Sequence, residues 1–328
     1  VICKTSKIPI YQQKAMNTEI PVVIAFTPNY FVPAATCLYS ILKHSRDGES
    51  FRFICLSSEE LPEQMKRKIK LVDNGRGRYS FINMRGKLHG IYINPKYTEA
   101  ASYRLVLPDL LPQYEKVIYI DCDIIVRNDL ADLWRSTNLG NNYLAAVFEA
   151  PLDFQVSRLN IMGYNPREYA NSGLLLMNLS LMRQDGIVDK FMKALQVDYL
   201  EFPDQDVLNQ VCRGKIIGLP PFHNSIRTFH LPQYKPFFLQ QYTEQDWKEV
   251  QQHGNVHYTG SKPWNSFTVA FKLWWTYYEE LPQTIQGEWS KNRIIYGLYR
   301  FCKTRAGWLL LASVQNIYRK IRYSLCLF

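Results

Sequence analysis

Two carboxylates two residues apart, Asp121 and Asp123, interrupt an apolar run, Lys116-Val-Ile-Tyr-Ile-Asp-Cys-Asp-Ile-Ile-Val126. In extended backbone, residues i and i+2 face the same side. The two acids can therefore converge on one cation, with Cys122 turned into the core. Their hard oxygens suit Mg²⁺ or Mn²⁺, and such an ion in turn holds a diphosphate. Taken alone, the pair reads equally as solvated acids facing a turn, and Asp204-Gln-Asp206 repeats the pattern. Its place sets the first triplet apart: the preceding strand reads as buried on both faces, and open α/β sheets bind ligands beyond their carboxyl edge.

A second cluster follows much later, His257-Tyr-Thr-Gly-Ser-Lys-Pro-Trp264. It offers an imidazole for metal and, past the flexible Gly260, the ammonium of Lys262 for phosphate. An imidazole beside carboxylates tilts the metal from Mg²⁺ toward Mn²⁺. A structural histidine and a solvated lysine are the alternatives. No G-x-G-x-x-G, G-x-x-x-x-G-K-[ST], G-x-S-x-G or H-E-x-x-H stretch occurs, which leaves dinucleotide, P-loop, hydrolase and metalloprotease readings without a motif.

The elements that must position these groups alternate in type. Val22–Phe26, Phe51–Leu56, Tyr79–Asn83, the run into Asp121, Tyr143–Phe148, Leu174–Met177 and Val256–Tyr258 read as strands. Amphipathic stretches around Ala34–Leu42, Leu61–Val72, Ala100–Leu107, Asp129–Arg135, Ile187–Leu200 and Asp204–Cys212 read as helices. That order predicts a βαβ architecture with a mostly parallel central sheet flanked by helices. Residues 218–242, rich in Pro, Phe, Gln and Tyr without period, read as an extended wall or lid.

At 328 residues and 47% hydrophobic content the chain can bury a large core. Seven scattered cysteines without a C-x-x-C pair point to a reducing compartment. No secretory segment is visible, and no apolar run approaches the ~20 residues of a membrane span. The expectation is a soluble or peripheral protein. The net charge of +10 is local: after Glu288 there is no acid, while Lys291, Arg293, Arg300, Lys303, Arg305, Arg319, Lys320 and Arg322 follow. Without those eight cations the rest carries 31 basic against 29 acidic side chains. Interleaved with Ile294, Tyr296, Phe301, Trp308 and Leu310, the tail has the composition of a basic-aromatic helix lying on anionic lipid. A solvated or dimerising helix is the bland alternative. With the basicity absent from the body, no nucleic-acid partner is expected.

With these motifs in order, the chain resembles the retaining glycosyltransferases of family 8, especially the bacterial branch that adds glucose or galactose to lipopolysaccharide or related surface glycans. The likeness runs from about Pro21 to Trp264 through Ala25-Phe-Thr-Pro-Asn-Tyr30, Ala101-Ser-Tyr-Arg-Leu-Val-Leu-Pro108, the acidic strand, Asn171-Ser-Gly-Leu-Leu-Leu-Met-Asn178, Asp204-Gln-Asp-Val-Leu-Asn209 and the His257 cluster. It implies a GT-A fold over 21–288, with a loosely ordered lead-in over 1–20 and a basic tail over 289–328. It also implies a UDP-hexose donor, a glycan or lipid-linked saccharide acceptor, and Mn²⁺, with Mg²⁺ the alternative. Asp121, Asp123 and His257 would ligate the metal. Gly260 and Lys262 would contact the diphosphate, Lys262 stabilising the leaving group.

By the same likeness Asn29 and Tyr30 would lie at the uracil, Tyr30 by stacking, and Ala25, Thr27, Arg104, Cys122, Glu149, Asn171, Ser172, Asp204 and Gln205 along the donor. Gln205 would occupy the β face of the sugar, with Asp204 as alternative nucleophile or as a simple helix cap. The family's first loop usually carries an acid near the uracil where this chain has Thr27. Glu149 stands where a shorter Asp is common. The implied activity is α-linked transfer to a surface-glycan hydroxyl at the inner, cytoplasmic face of the cell membrane. The competing reading is a catalytically silent, membrane-associated scaffold on the same fold. A nucleotidyltransferase or pyrophosphatase, the third, lacks a glycine-rich phosphate loop.

Overall fold

In a computed structural model of the protein, the alternation resolves into one seven-stranded and one three-stranded sheet. The structure describes residues 19–307 except 74, 89, 90, 93, 95–97, 198 and 199, together with 309, 310 and 313. Most of the expected lead-in, and Arg319, Lys320 and Arg322 of the tail, lie outside the described residues.

The strands are β1 (Ile20–Phe26), β2 (Phe51–Ser57), β3 (Gly77–Asn83), β4 (Lys116–Asp121), β5 (Ile124–Ile125), β6 (Leu144–Phe148), β7 (Ala170–Asn178), β8 (Ile216–Gly218), β9 (Ser225–Ile226) and β10 (Val256–His257). The large sheet runs β3-β2-β1-β4-β7-β6-β8 and the small one β5-β10-β9. All pairs in the large sheet are parallel except those made by β7, which is antiparallel to both β4 and β6. The helices are α1 (Phe31–His44), α2 (Glu63–Ile69), α3 (Leu107–Leu110), α4 (Leu130–Ser136), α5 (Asp153–Ile161), α6 (Leu179–Gln184), α7 (Ile187–Ala194), α8 (Pro203–Val211), α9 (Lys235–Gln241), α10 (Glu244–His253), α11 (Phe271–Glu280), α12 (Gln283–Gln286) and α13 (Arg293–Lys303).

The central strands are apolar on both faces because each face meets a core. Ile24, Ile118, Ile120, Leu174 and Leu176 feed one, and Val23, Val117, Tyr119, Leu175 and Met177 the other. Burying each such side chain contributes roughly 1.5–3 kcal/mol. Strand order reverses between β1 and β4, which makes the crevice beyond their carboxyl ends a switch point for ligands. Ala25 pairs with Asp121 there.

Local expectations fail where proline or tertiary pairing overrides pattern. The apolar run to Val126 is two strands, because the chain turns at Cys122-Asp123 to leave the large sheet for the small one. The helix expected over Ala100–Leu107 is a 3-10 segment, Glu99–Val106, running into α3. The wall over 218–242 contains the 3-10 turns Pro221–Asn224, Arg227–His230 and Pro232–Tyr234 and the helix α9. Its rings pack with one another: Phe238 lies 4.9 Å from Phe229 and 5.0 Å from Tyr242. Helix α10 carries a capping box that the sequence displays, Thr243 with Asp246.

Helix α13 is held to the body as an amphipathic element. Asn292 caps it by accepting from Ile294 N at 3.0 Å and Ile295 N at 3.2 Å. Tyr299 and Cys302 are buried, and the Tyr296 and Tyr299 hydroxyls donate to Glu279 of α11 at 3.1 and 2.9 Å. Trp289, just before it, lies 5.8 Å from Trp274.

Burial lowers His223 and His230 of the wall from the usual 6.5 to about 4, although a bond with Ser225 pulls His230 the other way. Both stay neutral in the fold while the unfolded chain protonates them below 6.5. The stability this neutrality contributes is therefore full above that pH and is lost as pH falls toward 4. The melting temperature should drop by several degrees between about pH 7 and about pH 5. In a His223→Gln/His230→Gln double variant most of that slope should disappear, as read by calorimetry.

Candidate functional site

The site forms where β4, β7, α8 and the small sheet meet. β4 delivers Asp121 with Tyr119 two residues earlier on the same side, and the Tyr119 hydroxyl donates to Asp121 Oδ1 at 3.0 Å. Arg104, 3% exposed, lies over the Tyr119 ring, 4.4 Å from its centroid. Its Nη2 bonds Asp121 Oδ1 at 2.8 Å, its Nε stands 3.2 Å from Asp204 Oδ2, and its Nη1 donates to the Ser172 carbonyl. One guanidinium thus ties β4, β7 and α8 together. Burial works against its charge, but Asp121, Tyr119 and Asp204 outweigh that and hold it protonated.

Asp123 reaches the same crevice from the turn after β4, a different route from the strand alternation that the spacing suggested. The main-chain N–H of Tyr258 donates to the Asp123 carbonyl at 3.1 Å and closes the small sheet over the turn. Cys122 between the acids is half-buried, and burial followed by Asp123 and Asp121 pushes its thiol well up. In β10, His257 pairs with Ile124 of β5, which sets its imidazole beside the acids. Nε2 lies 3.4 Å from Asp123 Oδ1 and 3.8 Å from Asp121 Oδ2.

Asp121, Asp123 and His257 each offer a ligand atom, and these atoms lie within 4.8 Å of one another. Two carboxylates and one imidazole fit a divalent ion. The backbone has been cleared for the ring: a Cβ on Gly173 would sit 2.2 Å from His257 Cε1 and 3.0 Å from Asp121 Oδ2.

Lys262 follows on the loop after β10. Its ammonium pairs with Asp123 Oδ2 and donates to the Tyr258 carbonyl at 2.8 Å. Burial would lower its pKa, yet Asp123 more than compensates and raises it. Burial would likewise raise Asp123, but Lys262 and His257 hold that carboxyl well below the usual range. At Asp121 burial wins over Arg104, and the carboxyl is pushed up. Gly260 takes φ +78°, with open space where a side chain would stand, so the loop leaves room for a bulky anion.

On the other side lies an amide and carboxylate group. Because β7 runs antiparallel, its first residues arrive at the carboxyl edge of β4 and β6. Asn171 Nδ2 donates to Glu149 Oε1 at 2.9 Å and to Gln205 Oε1 at 3.1 Å. Gln205 Oε1 also accepts from Ser172 N, and its Nε2 donates to Glu149 Oε1, each at 3.1 Å. Burial raises the Glu149 carboxyl against the bonds from Asn171 and Gln205. Asp204, buried, accepts from Ser172 Oγ at 3.0 Å. It does not cap α8. The helix begins at Pro203 with Phe202 at its cap position and no side-chain cap, while Asp206 ties down the chain entering it, accepting from Glu201 N and Phe202 N, both at 3.1 Å, and from Arg158 and Tyr169. The second acidic triplet is thus structural at its far end.

The remaining candidates line the β1 end. Ala25 is buried, Thr27 half-buried and Asn29 exposed, and the Tyr30 ring meets Trp264 edge-on at 5.7 Å. Three contributors were not singled out from sequence: Tyr119, Gly173 and Asn224. Strand alternation from Asp121 points to Tyr119, and Gly173 lies inside the Asn-Ser-Gly motif. Asn224, in the aperiodic wall, carried no signal.

The chain matches the model of glycosyl transferase family 8 over residues 21–268. It is 26% identical to the glycosyltransferase GlyF of Streptococcus pneumoniae over 268 residues, 78% of this chain and 60% of GlyF. To the lipopolysaccharide 1,2-glucosyltransferase of Escherichia coli it is 28% identical over 56% of this chain and 54% of that protein. The chain therefore spans less than two thirds of either relative. Among solved structures it is similar to the galactosyltransferase LgtC in complex with donor and acceptor sugar analogues, at TM-score 0.66 and 23% identity, covering 82% of this chain and all of that one. The fold shared is GT-A.

Gly173→Ala forces a methyl into the His257 ring and should displace the imidazole from the acids. Titration with Mn²⁺, read by the signal of the free ion, should show affinity lost by about 10-fold or more. Circular dichroism should remain that of the parent chain.

Proposed function

Since the chain belongs to glycosyl transferase family 8, we propose that it moves a hexose, glucose or galactose, from a UDP-sugar to a hydroxyl of a lipopolysaccharide or other surface-glycan acceptor. Transfer retains the α configuration and depends on Mn²⁺ held by Asp121, Asp123 and His257. The observation that carries this reading is the convergence of those three ligand atoms within 4.8 Å, with the Lys262 ammonium seated against Asp123. A divalent ion in that cluster would supply positive charge to a donor diphosphate.

This chain's own residues do the rest. Lys262 exchanges its contact with Asp123 for the diphosphate and neutralises charge that grows on the leaving oxygen. Gly260 lets the phosphates approach the backbone, and Tyr30, with Ala25, Thr27 and Asn29 beside it, takes the uracil ring. Arg104, Asn171, Ser172 and Glu149 orient the sugar hydroxyls, and Cys122 lies under the donor. The Gln205 amide, locked by three partners, presents a neutral group to the β face. Asp204, 3.2 Å from Arg104 Nε, lies where its carboxylate would stabilise positive character at the anomeric carbon. The acceptor hydroxyl attacks on the face the diphosphate leaves, so no carboxylate nucleophile is required.

The outer face of α13 fits an anionic membrane surface. Ile294 is 82% and Phe301 46% exposed, among Arg293, Arg300 and Lys303, and Leu309 and Leu310 beyond are exposed as well. Among the described residues no helix is long and apolar enough to cross a membrane. On this reading the enzyme works peripherally at the inner, cytoplasmic leaflet, beside a lipid-linked acceptor, and the exposed apolar and cationic side chains of α13 are what support it. Residues 21–288 form the catalytic unit and 289–328 the docking tail.

A donor panel tests the chemistry. UDP-glucose or UDP-galactose should release UDP with Mn²⁺, EDTA should abolish release, and Asp123→Asn should cost at least about 100-fold in kcat. Turnover indifferent to EDTA, or none with any UDP-sugar, would count against the reading and favour a silent scaffold. An Ile294→Glu/Phe301→Glu variant should lose binding to phosphatidylglycerol vesicles while hydrolysing UDP-sugar at the parent rate. These exposed positions suit the test better than deletion from residue 289, which would strip Trp289, Tyr296 and Tyr299 from α11.

A further inference from the structure

We infer that Asn224 is a positioning residue that fixes the tautomer of His257 and joins this ligand to the groups proposed to hold the donor sugar. The inference deepens the metal reading above and rests on it. Asn224 is fully buried at the entry to β9, and Asn171 and His257 are each 5% exposed.

The hydrogen-bond order runs from a group whose role is fixed. The main-chain N–H of Gly173 can only donate, and it donates to Asn171 Oδ1 at 3.0 Å. Asn171 therefore turns its Nδ2 toward Glu149 and Gln205. Asn224 meets the same Asn171 Oδ1 at 2.8 Å, so it must present Nδ2 there. That leaves Asn224 Oδ1 facing His257 Nδ1 at 2.9 Å. An acceptor oxygen at this distance requires the proton on Nδ1. The neutral ring then carries its lone pair on Nε2, the nitrogen that faces Asp121 and Asp123 and the only one able to bind an ion there. One buried amide thus sets both the ligand nitrogen and the Asn171 carbonyl that anchors the sugar side.

The two functions separate by substitution. Asn224→Asp keeps an acceptor for Nδ1 but has no donor for Asn171, whereas Asn224→Ala loses both. Nitrogen-proton correlation spectra of the metal-free chain at about pH 8 should show His257 as the Nδ1–H tautomer in the parent and in Asn224→Asp, and a mixture in Asn224→Ala. Mn²⁺ affinity should stay within about threefold in Asn224→Asp and fall about 10–100-fold in Asn224→Ala, while kcat falls about tenfold in both. An Nε2–H ring in the parent chain overturns the inference. So does an Asn224→Ala variant that melts earlier yet keeps tautomer and Mn²⁺ affinity, since that is a packing role alone. A parent chain showing Nδ1–H but binding no Mn²⁺ overturns the metal reading and leaves the assignment of Asn224 supported.

Discussion

Four carboxylates crowd one crevice, and the site exists because the buried Arg104, the half-buried Lys262 and two amides divide them. Asp121 and Asp204 share Arg104, Asp123 takes Lys262, and Glu149 is satisfied by amides. Unpaired buried anions of this kind are costly, and removing one partner of such a pair costs on the order of 3–5 kcal/mol. Arg104 carries the larger share because it also spans three elements and lies flat on Tyr119. A lysine could match its charge but not its planar fork. These pairs fix the charges of the crevice relative to one another.

Much of this was written in the chain. The continuous apolar strands and the acid at the end of β4 follow from alternation and burial, and family 8 membership agrees with the motif order. What was not legible has definite causes. Asp123 converges with Asp121 through a turn, because the chain changes sheets at Cys122, and a spacing of two cannot distinguish that from a strand. Asp204 does not cap its helix, since the helix already begins at Pro203 and the Asp204 carboxylate turns to Arg104 and Ser172, and the acid-amide-acid triplet gives no sign of which acid reaches the site. Asn224 lies among prolines and aromatics where no period exists, and only the pairing of β9 with β10 brings it to His257.

The two sides of the crevice are built differently. Strand ends of the large sheet, buried on both faces, supply Asp121, Asn171 and Ser172, and the first turn of α8 supplies Asp204 and Gln205. Such positions hold side chains to fractions of an ångström. The facing wall, from residue 218 to 242, is a series of short 3-10 turns whose rings pack edge to face. Its start is tied to the metal side, through β9 and Asn224, while the turns from Arg227 onward pack chiefly on one another.

The Lys262 loop joins these parts to α13. Gly260 at its start has open space around it, while its end is pinned: Trp264 lies 4.9 Å from Trp274, and Trp275 Nε1 donates to the Pro263 carbonyl at 3.0 Å. The Lys262 carbonyl accepts from Asn265 N at 3.0 Å and Ser266 N at 2.9 Å. With its backbone held from Lys262 onward by the same aromatic cluster that receives Trp289 and Tyr296, the part of Lys262 left free to change partners is the side chain. In the proposed function, exchange of its ammonium between Asp123 and a donor diphosphate would need only rotation about side-chain bonds, a fast motion that would leave the imidazole and both acids where the fold has put them.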